Sequence, residues 1–358
     1  MIMRQTGNKG EWSEFYAFLR LLFLGKLYAA DENAHRIDNI FLPIIKIIRE
    51  EGGKIREYII NQESGDVSVV TEGITEKTIL HSYLSVASDY LYKMIDRGSE
   101  RTFEINDAPA IMSNLNLSRI VAPSSDKTDI VMLLHDIFTG YDRLCGFSIK
   151  SELGSPPTLL NASRATNFIY EVTGLTALDM ARINNINTQS KIIDRIAEIR
   201  SCGLIKYHSL CNAVFSSNLM LLDTNMESIL SWMLLYYYQN QANDCKTLVK
   251  ILEKENPLKY PRKGFYEYKF KKFLCSIALG MVPSKEWNGY DEANGGYVIV
   301  KQDGEVLAYH LYNRNAFETY LLNNTRFERG STSRHDFASL YTQNEKMYIN
   351  LNLQIRFI

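Results

Sequence analysis

Two short stretches of this chain carry residues that could do chemistry together: Thr128-Asp129-Ile130 and Ser148-Ile149-Lys150-Ser151-Glu152. Each belongs to an apolar, strand-like run, Asp129 to His135 and Leu144 to Lys150, and the two runs read as the arms of one hairpin. Asp129 and Lys150 are equidistant from a centre between Thr139 and Gly140. Pairing in that register would set them opposite each other, within cross-strand reach. Alternation along the second arm sends Ser148, Lys150 and Glu152 to one face. A carboxylate, a lysine and a second carboxylate at one spot can hold a divalent metal and activate a water. Asp129 is then a metal ligand, and the backbone carbonyl of Ile149 a further oxygen. Lys150 orients the water and neutralises developing charge. This is the outline of a metal-dependent phosphodiesterase. The plain reading of the same residues is a hairpin whose strands end in Asp and Lys where they meet solvent, and spacing alone favours it, because short motifs often match by chance. Context adds to the first: the hairpin runs straight into a turn and an expected helix, in one unit of about fifty residues.

The elements around the hairpin follow from periodicity. Residues 11–27 predict a helix with Trp12, Phe15, Phe18, Leu19, Leu22 and Phe23 on a broad apolar face. Residues 37–115 mix strand-like pieces, Ile55 to Ile60 and Val67 to Thr71, with a helix around Glu76 to Ile95. Ser118 to Ala122 opens a β-rich block that includes the hairpin. Gly154-Ser155-Pro156-Pro157 breaks the chain, and Thr158 can cap a helix running to about Val172. Further helices are expected over 188–201, stopping at Gly203, and over 225–239 and 243–254. The last part returns to strands: Tyr297 to Lys301 and Glu305 to Leu311, joined at Gln302-Asp303-Gly304, then Met347 to Phe357. The expected fold is α+β, a mixed central sheet flanked by helices with a β-rich C-terminal part. Four stretches result: 1–115, mixed and lending its first helix to the core; 116–180, hairpin and following helix; 181–285, helical; and 286–358, β-rich. They are compatible with one compact domain.

Composition bounds the function. The chain has 358 residues, 46% apolar and 23% charged, and a net charge of -1. That argues against a nonspecific nucleic-acid coat and leaves room for a basic cleft. Residues 246–272 hold nine basic side chains against three acidic ones, interleaved with Tyr260, Phe265, Tyr266, Tyr268 and Phe270. Such a stretch can track a DNA backbone, or it can be a surface helix with snorkelling lysines, the reading favoured slightly here. Five scattered cysteines read as reduced thiols of a cytoplasmic protein. The first ten residues hold no hydrophobic signal core. The run Phe15 to Leu24 is too short to span a bilayer and contains Arg20, so no membrane is expected. The six histidines show no zinc or HNH spacing, and there is no GxxxxGK[ST] loop, so no ATP-driven step is implied, and no GxSxG elbow.

An Asp followed on the adjacent strand by (Asp/Glu)-x-Lys is the signature of the PD-(D/E)xK nuclease fold. The wider text goes further: Gly10-Glu11-Trp12-Ser13-Glu14, Gly146 to Ser155, Thr158 to Phe168 and Ser331-Thr332-Ser333-Arg334-His335. Together these resemble the HpaII family of type II restriction endonucleases over most of the chain. The resemblance implies Mg²⁺-dependent double-strand cleavage of DNA at CCGG after the first C, leaving 5′-phosphate ends. A palindromic target suits a homodimer, and a monomer cutting one strand at a time fits equally well. One departure matters: the usual acid two before the lysine is Ser148. The missing charge must come from elsewhere. Glu152 is preferred for its position, Glu14 on the first helix is the second choice, and Glu11 a weaker version of it. For DNA contacts, Asn161, Ser163, Arg164 and Asn167, with Ser155 and Thr158, surround an expected helix start that suits a phosphate or is plainly capped. Arg326, Arg329, Ser331, Ser333, Arg334 and His335 lie in a polar run that suits guanine readout. The alternative is a catalytically inactive sequence-specific DNA-binding protein that keeps the nuclease fold, with Ser148 as a mark of decay. An RNA- or structure-specific nuclease of the same fold is a third reading.

Overall fold

Asn8 starts the first helix, α1 (Lys9–Leu24). Its side chain accepts the Glu11 N–H while the Glu11 carboxylate accepts the Asn8 N–H, a reciprocal capping box. Gly25, at a φ of 61°, ends it in the left-handed conformation that glycine adopts without strain. The helix is therefore set earlier in the chain than the 11–27 pattern suggested, and Lys26 already belongs to a strand. Trp12, Phe15, Phe18, Leu19 and Leu22 are fully or nearly fully buried, as expected of the apolar face. These features come from a computed structural model, which describes residues 5–121, 128–137, 139–310 and 313–358.

The chain divides into two compact, discontinuous units, 1–157 with 291–320, and 158–290 with 321–358. The first is organised by one nine-stranded sheet. Its strands are β1 (Lys26–Ala30), β2 (Arg36–Glu51), β3 (Lys54–Ile60), β4 (Val67–Thr71), β5 (Ile74–Ile79), β6 (Ile130–His135), β7 (Asp142–Ser151), β8 (Gly296–Val300) and β9 (Val306–His310). The spatial order is β1-β9-β8-β7-β6-β2-β3-β4-β5, with β7–β8 and β9–β1 parallel and the other neighbours antiparallel. The sheet is thus mixed, as expected. β2 is long enough to pair with β1 through its first half and with β6 and β3 through its second, so the sheet curls back on itself. Helix α2 (His81–Arg97) packs on α1, and β5 takes the residues 76–79 that periodicity had given to that helix. Residues 118–121 form no strand, and Ala122 lies outside the described residues, as does Leu311 at the end of β9. Below the sheet, Trp12, Phe15, Tyr58, Met132, Phe147, Ile149 and Val298 share one apolar core, which fixes α1 against the hairpin strands.

The second unit holds a four-stranded antiparallel sheet in the order Leu204–Leu210, Asn167–Thr173, Lys346–Asn352, Leu340–Gln343, and a three-stranded sheet in the order Thr158–Leu160, Ile355–Phe357, Thr325–Phe327. The helix expected from Thr158 to about Val172 is not formed. Thr158 pairs with Arg356, and Asn167 to Thr173 is the second strand of the larger sheet. Helices Lys191–Cys202, Met226–Tyr238 and Cys245–Glu255 fall close to their expected places. The basic–aromatic stretch runs over two helices, the second Phe265–Leu279, and the connection between them, which holds Lys259, Tyr260, Arg262 and Lys263. Tyr266 and Phe270 face inward and Lys269 is ion-paired with Asp223, the behaviour of a surface helix with snorkelling lysines.

Candidate active site

Asp129 lies just before β6. Its backbone N–H donates to the Phe147 carbonyl at 2.9 Å, continuing the hairpin ladder by one step. The ladder pairs Ile130 with Phe147 and His135 with Asp142, so Asp129 comes opposite Ser148 and not opposite Lys150. The register is set at the other end. There the Tyr141 carbonyl accepts from Asp136 N–H, the Asp136 carbonyl accepts from Gly140 N–H, and the Asp136 side chain accepts from Thr139 N–H. The slip from the expected register is two residues, which keeps every side chain on its face.

The new register makes Ser148 the hub. Its hydroxyl donates to Asp129 Oδ2 at 3.1 Å and accepts from Lys150 Nζ at 3.3 Å. Asp129 Oδ2 also accepts the Ile149 N–H at 2.7 Å. The carboxylate thus takes the place a backbone carbonyl would fill if β6 continued, and among the described residues its Oδ1 accepts no hydrogen bond. On an extended strand one residue's N–H and C=O point to the same side, so the Ile149 carbonyl lies on the edge that Asp129 occupies. Lys150 sits half-buried, its ammonium 5.8 Å from the centre of the Tyr297 ring on the neighbouring β8.

The carboxylate nearest this group on α1 is Glu14. It lines a cavity of about 880 Å³ together with Ile149, Lys150, Ser151, Lys9 and Arg101. Burial raises its pKa to about 8; the Asp129 carboxylate pushes the same way, and Lys150 opposes. A buried carboxylate whose proton is held partly by a neighbouring carboxylate, with an ammonium beside it, is arranged to receive a cation. Glu152, the choice preferred on strand position, is engaged elsewhere. β7 ends at Ser151, and the groups acting on Glu152 are the Gln302 backbone, Lys301 and Asp303 in the β8–β9 turn, while burial raises its pKa. Glu11 is committed to the capping box. Among the described residues no cluster of three or more His, Cys, Asp or Glu forms a metal site. The donor set is two carboxylates and a carbonyl. That suits Mg²⁺, which keeps several waters and takes one or two carboxylates from protein.

Except for Ser155, which lies in the first unit, the expected DNA-contact residues fall in the second unit, where two remote segments meet. Gly330 lies so close to residue 162 that a Cβ added to it would come within 2.7 Å of the Ala162 Cβ. Asn161 and Arg164 on one segment, and Arg329, Ser331, Ser333 and Arg334 on the other, are exposed. Ser331 caps a one-turn helix, Thr332–His335, and Arg329 donates to the Gln189 carbonyl. Asn167 is a correction. It is 2% exposed, donates to the His335 and Asp336 carbonyls, and accepts from Asn352 Nδ2 at 2.7 Å. It ties the two segments together from the interior, with both Nδ2 protons already donated. Ser163 uses its backbone in the same tie, accepting from Asn352. Arg326 is held beside Glu328, which also pairs with Arg356. His335 is partly covered, and burial with neighbouring Arg334 keeps its ring neutral more readily than usual.

Residues 8–357 match the family model of the HpaII restriction endonuclease. The chain is 39% identical over 357 residues, 99% of each protein, to the type II restriction enzyme HpaII of Haemophilus parainfluenzae. The chain belongs to the HpaII restriction endonuclease family. As a member of the HpaII family it is a site-specific deoxyribonuclease, and DNA is its partner. No solved structure matches. Among the described residues no helix is long and apolar enough to cross a membrane.

Proposed function

We propose that the chain cuts both strands of duplex DNA at CCGG, after the first C, in a Mg²⁺-dependent reaction that leaves 5′-phosphate ends. The hairpin is read as a PD-(D/E)xK core whose usual acid has become Ser148. The observation that carries this reading is the linked set Asp129–Ser148–Lys150 with Glu14 facing it from α1.

Asp129 through Oδ1, Glu14 and the Ile149 carbonyl would hold the cation. When bound, it would supply charge to the phosphate oxygens and lower the pKa of a coordinated water. Lys150 has two tasks in this scheme. Its ammonium orients the attacking water, and it offsets the negative charge that grows on the phosphoryl oxygens. Ser148 fixes both partners: it holds Lys150 Nζ by its lone pair and Asp129 by its proton. The hydroxyl cannot replace the charge of an acid, so Glu14, once its proton has passed to solvent, would supply that charge. Exposed Arg164, Arg329 and Arg334, with Asn161, Ser331 and Ser333, form the proposed DNA-reading surface, where an arginine can bond a guanine through O6 and N7.

Digestion of a sequenced plasmid with and without EDTA, followed by sequencing of the ends, tests the reading. Discrete ends at CCGG only with Mg²⁺ are expected. Intact plasmid in both tubes, or ends at unrelated sites, would overturn it.

A further inference from the structure

Beside the catalytic groups lies a line of hydroxyls that the reaction itself does not use. Ser13 is fully buried on α1, next to Glu14, and Ser151 ends β7, next to Lys150. Ser13 Oγ donates to the Lys9 carbonyl at 2.6 Å and accepts from Ser151 Oγ at 2.8 Å, while Ser151 Oγ accepts the Leu153 N–H at 3.1 Å. Only one placement of the two hydroxyl protons satisfies this line, so it is directional from β7 into the helix backbone. A close contact reinforces it: a Cβ added to Gly154 would meet the Lys9 Cβ at 3.1 Å. The first turn of α1 is thereby fastened to the end of β7. The two residues so fastened are the immediate neighbours of Glu14 and Lys150.

We infer that Ser13 and Ser151 are positioning residues that set the spacing between the Glu14 carboxylate and the Lys150–Asp129 group, and so the affinity of the site for its divalent cation. The inference rests on the site reading above. A helix bearing one ligand and a hairpin bearing the others are separate bodies, and a shared core tolerates small sliding between them. A hydrogen bond between the residues adjoining the ligands does not. Neither serine need touch DNA, water or metal.

The test is the Mg²⁺ dependence of cleavage for the full-length Ser13→Ala, Ser151→Ala and double variants, with metal-free duplex binding and thermal unfolding measured alongside. Loss of a group that orients a metal ligand commonly costs 10–100-fold in metal affinity, so a rise of at least about tenfold in half-saturating Mg²⁺ is expected in Ser151→Ala. Most of the rate should return at saturating metal, with duplex binding unchanged. Ser151→Thr, which keeps the hydroxyl, should restore the wild-type metal dependence. The double variant leaves neither hydroxyl orphaned, so it separates metal affinity from folding if a single variant unfolds. An unchanged half-saturating Mg²⁺ in the folded variants, whatever their melting temperature, overturns the inference. Glu14→Gln run in parallel distinguishes the two levels. Full cleavage by Glu14→Gln sinks the site reading itself. A dead Glu14→Gln beside an unaltered Ser151→Ala and double variant sinks only the role of the serines.

Discussion

Replacing Glu14 by Gln should make the metal-free protein more stable at alkaline pH while abolishing cleavage. Burial raises the Glu14 pKa from 4.5 to about 8, with Asp129 as the second cause. The folded state therefore keeps this proton to higher pH than the unfolded chain. Its contribution is whole below about pH 4.5 and is lost as pH rises toward and through 8. At roughly 1.4 kcal/mol per unit, the cost of carrying the ionised group approaches a ceiling of about 4–5 kcal/mol above pH 8, and relaxation around an open cavity lowers it. Glutamine keeps the shape and removes the charge, so the variant avoids this cost. Denaturant unfolding in EDTA should show Glu14→Gln more stable than wild type by about 2 kcal/mol or more at pH 8.5, and the gap should close toward pH 5. Added Mg²⁺ should stabilise wild type more than the variant. A variant equal to or weaker than wild type at pH 8.5 would refute the idea that Glu14 is a strained carboxylate held ready for a cation.

Asp129→Ala and Lys150→Ala should each lower the cleavage rate by about a thousandfold or more while binding of a CCGG duplex in Ca²⁺ or EDTA stays near wild type, as gel shift and single-turnover digestion will show. Ser148→Ala should retain measurable cleavage with a lower rate at saturating Mg²⁺, since it removes orientation and no charge; a rate as low as that of Asp129→Ala would contradict this. Gly330→Ala should destabilise the second unit by about 1–3 kcal/mol and weaken duplex binding with little change in the metal dependence, because its methyl would force the 162 and 330 segments apart. Arg334→Ala should cost about 1–3 kcal/mol of discrimination against a substituted guanine if it reads a base, and should instead reduce the salt slope of binding by about one if it meets a phosphate.

The hairpin was legible because its arms alternate cleanly and carry chemistry only at the ends nearest one another. Its register was not, because that depends on how Asp136 gathers the turn, a matter of hydrogen bonds no spacing reveals. The shift from Lys150 to Ser148 as the partner of Asp129 turned an apparent defect, the missing acid, into the centre of the network. Thr158 to Val172 was misread for a different reason. Its local pattern suits a helix, but Thr158 pairs with Arg356 and Phe168 with Leu351, and such remote pairing overrides local preference. Glu14 stood in the sequence as a candidate beside Glu152. Their different surroundings, Asp129 and Lys150 for Glu14 but Lys301 and Asp303 for Glu152, appear only in the folded chain. Asn167 looked like a contact residue because it lay in an expected helix whose start suits a phosphate, and its three side-chain bonds to His335, Asp336 and Asn352 leave no trace in the residues around it.

The interrupted course of the first unit has a consequence for the protein as it is made. The strand bearing Lys150 has β8 as its parallel neighbour, and β8 is written some 145 residues later, at Gly296–Val300. During that interval β7 is an open sheet edge. At about 5–20 residues per second the ribosome needs roughly 7–30 s to reach the missing strand. A nascent or prematurely terminated chain carries every proposed ligand, Glu14 included, yet lacks the strand that flanks them. The order of synthesis thus works as a delay timer: the sheet around the proposed centre is completed only after β8 has been made.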